Sequence, residues 1–235
     1  MRTIGFSTGS IVPGDVPAAL AMLRQAGVEV VELSALRIAE LPVLVQTADS
    51  LLLEGFRHIS VHAPSRFELD DEARVVGQLQ ELAGRGWPIV VHPDVIHTDT
   101  LWRGFGSMLW VENMDKRKPI GRTAAELERI FCRLPDAGLC LDLAHARQCD
   151  PSMLETHRIL HSHTERLRQV HLSEVSSASR HTPLSYGAIH DFCRVSDEIP
   201  DDVPVILESP VAASAIRLEL SRALQALPEH PLMYA

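Results

Sequence analysis

Eight short runs rich in Val, Ile and Leu recur along the chain at a spacing of roughly 30 residues, each bounded by turn residues. They are TIGFS (3–7), VEVVEL (28–33), HISVHA (58–63), PIVVHP (88–93), MLWVEN (108–113), LCLDL (139–143), QVHLSE (169–174) and PVILES (204–209). Most are nearly continuously apolar, as parallel strands covered on both faces are. Between them lie helical patterns with start signals at Asp15, at Thr123 with Glu126, and at Asp150 followed by Pro151. Strand and helix in alternation predict an α/β fold, a single (β/α)8 TIM barrel with parallel strands.

An open, doubly wound sheet is the alternative fold for such a pattern. It is less favoured because STGSIVPGD, which includes the end of the first run, contains no GxGxxG phosphate-binding fingerprint. No linker, low-complexity tract or shift in composition divides the chain, and α/β barrels of this length fold as one unit. With 46% of residues hydrophobic, a core is readily built. Residues 1–235 are therefore predicted to form one domain.

Composition excludes some classes of partner. A net charge of −9 argues against nonspecific binding to nucleic acid or to an anionic membrane. The first residues, MRTIGFSTGS, lack the apolar core of a signal peptide, and no apolar run approaches the roughly 18 residues of a membrane span. The four cysteines show no CxxC spacing and are predicted to be reduced, mostly buried thiols. We expect a soluble, cytoplasmic protein without a membrane partner.

Ionisable residues stand at the carboxyl ends of seven consecutive predicted strands. These residues are Glu32, His62, His92, Glu112, Asp142, His171 and Glu208. The chain has 31 Asp and Glu and 12 His among 235 residues, so chance does not account for seven such ends in a row. In a barrel these positions share the C-terminal face, where active sites form.

Carboxylates and imidazoles that converge without matching Arg or Lys repel one another, or take up protons, unless a cation lies among them. Mixed nitrogen and oxygen ligands suit Zn²⁺, Mn²⁺, Fe²⁺ or Co²⁺ better than Mg²⁺ or Ca²⁺. The alternative is that single strand-end carboxylates cap neighbouring helix N-termini. Capping explains one residue more readily than it explains the whole set.

The strand-end motifs, taken in order, resemble a known group of barrels. SVHAP, VVHPD, VENMD, LCLDLAHA, VHLSE, RH and VILES fall on seven of the eight strands. This set resembles the xylose isomerase-like TIM-barrel superfamily, which includes endonuclease IV and many sugar isomerases and epimerases. The resemblance implies a metal-dependent enzyme on this fold.

The resemblance also implies which residues hold metal. The four-ligand site of the superfamily maps onto Glu112, Asp142, His171 and Glu208. The endonuclease IV branch adds His62 and His92, with Glu112 bridging two ions, and sugar isomerases usually lack that histidine pair. A third site in that branch uses a histidine after the sixth strand, here His145, and an Asp-x-His after the seventh, where this chain has Ser179 and His181. Two or three divalent ions per chain, Zn, Mn or Fe, are therefore expected, the third site being in question because of Ser179.

Several basic and acidic residues are candidates for contact with substrate. Lys116, Arg117 and Lys118 follow the fifth strand, and one of them, with Arg66 or Arg180, is placed to bind a phosphate or carboxylate group. The alternative for this run is a solvated loop. Two interpretations of Glu32 stay open: contact with substrate, or a salt bridge at the rim.

Two reactions fit this pattern. The first is multinuclear metal-dependent hydrolysis of a small, possibly anionic phosphoester, for which Glu112, Glu208 and His145 are the predicted catalytic residues. The alternative is isomerisation or epimerisation of a small sugar or polyol, with Glu112 and Glu208 exchanging a proton. A non-catalytic metal-binding barrel and redox chemistry at iron also use such ligands. With about 29 residues per strand–helix unit, the chain has little length for loops that grip duplex DNA.

Overall fold

Eight parallel strands close into a barrel in the computed structural model of the chain, which describes residues 2–229. Met1 and residues 230–235 of the predicted domain lie outside the described residues. The strands are β1 Ile4–Ser7, β2 Val30–Ser34, β3 His58–His62, β4 Ile89–Val91, β5 Leu109–Glu112, β6 Gly138–Asp142, β7 Leu167–Leu172, β8 Glu174–Val175, β9 His181–Thr182 and β10 Val205–Leu207. The barrel runs from β1 to β7 in chain order and closes through β10, while β8 and β9 form a separate hairpin. The predicted TIM barrel is confirmed, and each barrel strand bound lies within two residues of its prediction.

Helices follow the barrel strands. They are α1 Thr8–Ile11, α2 Val16–Gln25, α3 Leu41–Thr47, α4 Leu69–Ala83, α5 Asp99–Trp102, α6 Ala124–Arg133, α7 Leu143–Cys149, α8 Leu154–His163, α9 Tyr186–Cys193 and α10 Ile216–Ala226. Short 3₁₀ segments occupy Ala48–Ser50, Pro93–Val95, Arg103–Met108, Thr164–Arg166, Ser196–Glu198 and Ala213–Ala215. Several strands pass directly into a short helix at the C-terminal face, so their connections over the barrel mouth are brief.

Two of the three predicted helix starts are confirmed. Asp15 accepts a hydrogen bond from the backbone N–H of Ala18, and Thr123 accepts one from that of Glu126. The predicted start at Asp150 is wrong, because α8 begins at Leu154. The Asp150 carboxylate instead accepts from the backbone N–H groups of Ser152 and Glu155 and so orders the turn before the helix.

Alternate residues of each barrel strand face opposite ways, and this divides the core in two. One set, such as Leu139 and Leu141 of β6, joins the large apolar cluster between the sheet and the helices. The other set points into the barrel, where Val90, Trp110 and Cys140 form a small separate apolar cluster. The inward positions that come next toward the C-terminal ends are ionisable, so the interior changes from packed floor to polar mouth.

Two further expectations concern the burial of the cysteines and the absence of a membrane-spanning segment. Cys140 is buried and Cys149 is half-buried, whereas Cys132 and Cys193 are exposed, so the prediction of mostly buried thiols is wrong. All four are free of disulfides. Among residues 2–229, the structure contains no helix with both the length and the apolar character needed to cross a membrane.

Candidate metal centre

A cleft of about 300 Å³ opens at the C-terminal face of the barrel. Strand-end residues line it, and they include His62, His92, Glu112, His145, His181 and Glu208. Each comes from the end of a barrel strand or from the loop, hairpin or helix that follows it. Six separate predicted site residues therefore meet around one small volume on the face where barrel enzymes bind substrate.

Four ligand atoms, three of them from carboxylates, converge on the inner wall of the cleft. Glu112, Asp142, His171 and Glu208 each offer one atom, and these atoms all lie within 4.8 Å of one another. Glu112 and Asp142 end β5 and β6, His171 lies in β7, and Glu208 follows β10 directly. We call this set the carboxylate cluster. It is the set of residues that the resemblance implies for the four-ligand site.

A second group shares Glu112 with the first. His62, His92 and Glu112 also bring ligand atoms within 4.8 Å of one another, and we call this set the histidine cluster. Oε2 of Glu112 lies 3.1 Å from Nε2 of His62 and 3.3 Å from Nε2 of His92. Because the other oxygen of Glu112 is directed toward His145 and His171, one carboxylate faces both clusters.

Local hydrogen bonds hold the ligands in place. Asp142 caps α7 by accepting from the backbone N–H of His145 through Oδ1 at 2.7 Å, and its Oδ2 is left without a hydrogen-bond partner. Asn113 clamps the same strand end, since its amide donates to the carbonyl of Asp142 and accepts from the Asp142 N–H. His62 contacts the Ala63 carbonyl through Nδ1 at 2.7 Å, which gives Nδ1 the proton of the neutral ring and leaves Nε2 as the ligand atom.

The donor atoms of these clusters fit a divalent metal ion. Buried polar atoms in proteins nearly always have hydrogen-bond partners. In the described part of the chain, Asp142 Oδ2, His171 Nδ1, Glu208 Oε2 and His92 Nδ1 are buried without one. The first three belong to the carboxylate cluster and are unpartnered where the ligand atoms converge. A bound cation would satisfy these three atoms together.

Electrostatics in the metal-free site point the same way. Burial lowers the pKa of His62, but the hydrogen bond with Glu112 and the neighbouring carboxylates outweigh it and raise that pKa to about 9. Burial also lowers the pKa of His145, but the neighbouring Asp142 and Glu112 outweigh burial and raise that pKa to about 10. Burial raises the pKa of Asp142 to about 6. Protons on these groups hold charge balance that a metal ion would otherwise supply.

The expected third site is only partly assembled. His145 is buried with Nδ1 at 3.1 Å from Glu112 Oε1, and His181 on β9 lies 3.5 Å from Glu208 Oε2. Ser179, which stands where the resemblance expects an aspartate, donates to Gln148 at 2.7 Å instead. Within residues 2–229, His145 and His181 complete no group of three ligand atoms.

The predicted basic residues divide into two groups. Arg117 and Lys118 line the cleft, but each is already paired, Arg117 with Asp115 at 3.0 Å and Lys118 with Asp94 at 2.6 Å. Burial raises the pKa of Asp115, but the hydrogen bonds from Arg117 outweigh burial and lower that pKa to about 2. Lys116 lines a neighbouring groove instead.

The structure does not bring three of the predicted substrate contacts to the cleft. Arg66 and Arg180 are exposed and do not line it. Glu32 is not at the rim: β2 continues to Ser34, so Glu32 lies inside the barrel and is fully buried. Its carboxylate contacts His171 at 2.9 Å, so the salt bridge of the second interpretation is made beneath the cleft.

Sequence reasoning assigned no role to two residues of the site. Asn113 and Asp115 both stand in VENMD, the motif that supplied Glu112. Asn113 fixes the end of β6, and Asp115 pairs with Arg117 at the cleft. Their position directly after a strand-end ligand is the signal that could have found them, because side chains there share the functional face.

No family model and no curated protein matches the sequence. Solved structures do match. Endonuclease IV from Thermus thermophilus is 18% identical with a TM-score of 0.65, covering 98% of this chain and 100% of its own. A xylose isomerase domain protein from Alicyclobacillus acidocaldarius is 12% identical with a TM-score of 0.63, covering 95% and 98%.

A third structure has the same fold and was solved with a metal. A xylose isomerase-like TIM barrel protein from Mycobacterium smegmatis in complex with magnesium is 13% identical with a TM-score of 0.60, covering 97% of this chain and 98% of its own. These similarities span almost the whole of each chain. The chain therefore has the fold of the xylose isomerase-like TIM barrels, which the strand-end motifs predicted.

Proposed function

We propose that the protein is a divalent-metal-dependent hydrolase of a small phosphoester, with two ions held side by side. The observation that carries this proposal is the histidine cluster, which shares Glu112 with the carboxylate cluster. A single-ion site needs the carboxylate cluster alone, whereas a second set of ligands around one carboxylate is what a pair of bridged ions requires. The magnesium complex of the Mycobacterium smegmatis barrel supports metal binding on this fold.

The ligands divide the work of holding the ions. Glu112, Asp142, His171 and Glu208 would hold one ion, and His62 and His92, together with Glu112, would hold the second. Ions bound there would polarise a phosphoryl oxygen and lower the pKa of a water molecule toward neutrality. Imidazole nitrogen favours Zn²⁺, Mn²⁺ or Fe²⁺ over Mg²⁺ at the histidine cluster.

His145 contributes a proton rather than a complete ligand set. It lines the cleft, and its ring contacts Glu112 and Asp142, so it lies within reach of a group bound beside them. A protonated imidazole at this place can donate to the oxygen of a departing alcohol. Glu208, partly open to the cleft beside His181, is the second candidate for proton transfer.

The size of the cleft limits the substrate. About 300 Å³ accommodates a small molecule, at the lower end of ligand-binding clefts. Arg117 and Lys118 line it and place two cations near a bound anion, each shared with a carboxylate. Where β1 and β6 pass directly into short helices, the barrel mouth offers little loop surface for duplex DNA. We therefore propose a small anionic phosphoester rather than duplex DNA.

One observation favours isomerisation of a sugar or polyol as the second candidate. The carboxylate cluster is a complete four-ligand set for one ion, and two of its members, Glu112 and Glu208, are carboxylates able to exchange a proton with substrate. The similarity to a xylose isomerase domain protein supports this candidate in the same way that endonuclease IV supports the first.

Metal analysis of protein purified without added metal tests the proposal. Two transition-metal ions per chain, with turnover of a phosphoester such as a nitrophenyl phosphate, support the hydrolase. One ion per chain with conversion of an aldose into a ketose supports the isomerase. Protein that carries no ion and binds none on back-titration would overturn metal dependence altogether.

A further inference from the structure

Glu32 lies fully buried beneath the cleft, yet three polar groups meet its carboxylate. Oε2 of Glu32 is 2.9 Å from Nε2 of His171, 2.8 Å from Nε2 of Gln169 and 3.4 Å from Oγ of Ser60. A carboxylate in this position cannot touch a substrate in the cleft. Its contact with His171, a member of the carboxylate cluster, indicates that it acts through that ligand.

The directions of these hydrogen bonds follow from the floor of the barrel. His58 lies 3.2 Å from Oε1 of Gln169, which accepts, so the amide nitrogen of Gln169 is turned to donate to Glu32. Ionised Glu32 only accepts, so Nε2 of His171 must carry the hydrogen that lies between them. Gln169 Nε2 and His171 Nε2 lie 2.9 Å apart, and both then donate to the same oxygen, Oε2 of Glu32.

A neutral imidazole with its hydrogen on Nε2 has a bare Nδ1. Nδ1 of His171 lies 3.6 Å from Glu112 Oε1 and 3.6 Å from Glu208 Oε2, and it is buried without a hydrogen-bond partner. In the neutral ring, which metal binding requires, the lone pair of Nδ1 would face the carboxylate cluster. The two ends of this ring serve different partners, Glu32 on one side and the cluster on the other.

We propose that Glu32 is a positioning residue that fixes His171 with its hydrogen on Nε2, so that Nδ1 is the metal ligand. Gln169 and His58 in turn hold Glu32 in register. The proposal rests on the metal site of the proposed function. A carboxylate behind a ligating imidazole orients the ring and makes it a stronger ligand, and loss of such a partner weakens metal binding about 10- to 100-fold.

A purely structural role is the competing explanation, and the chain supplies a matched control for it. Glu72 on α4 is also a buried carboxylate that accepts three hydrogen bonds, from Trp102 Nε1 at 2.8 Å and from the backbone N–H groups of His97 and Thr98. It contacts no member of either cluster. Removing the charge of Glu72 should lower stability without changing metal affinity.

Zinc affinity of Glu32→Gln, Glu72→Gln and wild-type protein, measured by competition with a chelating indicator, provides the first test. We expect one of the bound ions to be held about 10- to 100-fold more weakly in Glu32→Gln and within about twofold of wild type in Glu72→Gln. Melting temperatures should fall in both variants. Wild-type zinc affinity in a folded Glu32→Gln, or an equal loss of affinity in Glu72→Gln, would overturn the positioning role.

Nitrogen-15 NMR of histidine-labelled protein provides a second test, which is read on the wild-type protein. His171→Asn identifies the His171 signals. In metal-free wild type we expect an exchange-protected Nε2–H, and on zinc loading the metal-induced shift should fall on Nδ1. A shift on Nε2, or no protected Nε2–H, overturns the positioning role. A protected Nε2–H in a protein that binds no zinc upholds the contact with Glu32 and overturns the proposed function instead.

Discussion

The carboxylate cluster and the histidine cluster share Glu112 but differ in charge. Beyond the shared residue, the first contributes two carboxylates and one imidazole, and the second contributes two imidazoles. An ion in the carboxylate cluster would face three negative ligands, and an ion in the histidine cluster would face one. The same face of the barrel thus presents two neighbouring ligand sets, one rich in carboxylate oxygen and one rich in imidazole nitrogen, which meet at Glu112.

This difference teaches which residues decide the reaction. Carboxylate oxygens accept many divalent ions, whereas imidazole nitrogen selects Zn²⁺, Mn²⁺ or Fe²⁺. Both candidate reactions would use the carboxylate cluster. The histidine cluster is required by the hydrolase and is dispensable for the isomerase, so variants that separate the two clusters are the informative ones.

Glu112→Gln removes the residue common to both clusters and should have the largest effect. We expect loss of at least one ion per chain and a fall in kcat/KM of about 1000-fold, or about 4 kcal/mol, because a neutral amide does not bridge two cations. Metal analysis and turnover measure these, and circular dichroism checks that the barrel persists. A variant with wild-type metal content and turnover would remove Glu112 from the centre of both clusters.

His92→Asn removes a ligand of the histidine cluster, and Asp142→Asn removes one of the carboxylate cluster. The two variants should therefore separate the contributions of the two clusters. His92→Asn should lose the ion of the histidine cluster and about 100-fold in phosphoester hydrolysis, since the bridged pair is lost. Asp142→Asn should lose the ion of the carboxylate cluster. If His92→Asn carries the same number of ions as wild type and hydrolyses at the same rate, the histidine cluster takes no part in the reaction.

Much of the barrel and its ligands could be predicted because both depend on short-range patterns. Apolar runs located the strands within two residues, and in a barrel every strand end reaches the same face. Glu112, Asp142 and Glu208 could therefore be placed without knowing any tertiary contact. The fold similarity to endonuclease IV at 18% identity shows how little sequence this pattern needs.

The errors have a common physical origin. Whether Glu32 meets substrate or another side chain depends on where β2 ends and on Gln169, which is 137 residues away. Arg117 pairs with Asp115 in its own loop, and Lys118 pairs with Asp94 in a 3₁₀ segment 24 residues earlier. No periodicity encodes either pairing, and a single sequence carries little signal for which side chains meet.

The raised histidine pKa values predict how metal binding depends on pH. With the pKa of His62 at about 9, an ion must displace its proton, so the affinity of the histidine cluster should rise as pH increases toward 9, by up to about tenfold per pH unit. Calorimetry in two buffers with different ionisation enthalpies should show proton release, which His62→Asn should reduce. Affinity that does not change between pH 6 and 9 would contradict the exchange of proton for metal.

The same pKa values predict the opposite trend for stability without metal. A histidine whose pKa is raised on folding stabilises the protein fully below its unfolded pKa near 6.5, and the stabilisation is lost as pH rises through the folded value. The free energy of unfolding of the metal-free protein should therefore fall between pH 7 and 10. Zinc-loaded protein should lack this fall, since the ligands hold metal in place of protons. Urea unfolding at several pH values measures both forms.

The smallest effect on turnover is expected from the basic residues at the rim. Two of them line the cleft, and a third lies outside it. Arg117 and Lys118 line the cleft in salt bridges with Asp115 and Asp94, and Lys116 faces the neighbouring groove. Because each cleft cation is shared with a carboxylate, Arg117→Ala combined with Lys118→Ala should weaken turnover of a phosphorylated substrate by only about tenfold, about 1.4 kcal/mol. Lys116→Ala should stay within about twofold, and metal content should be unchanged in both. Phosphomonoesters assayed beside uncharged phosphotriesters of the same alcohol separate the effect of substrate charge from an effect on the fold. Equal losses for charged and neutral substrates in the double variant would show that these cations stabilise the loop and bind no anion.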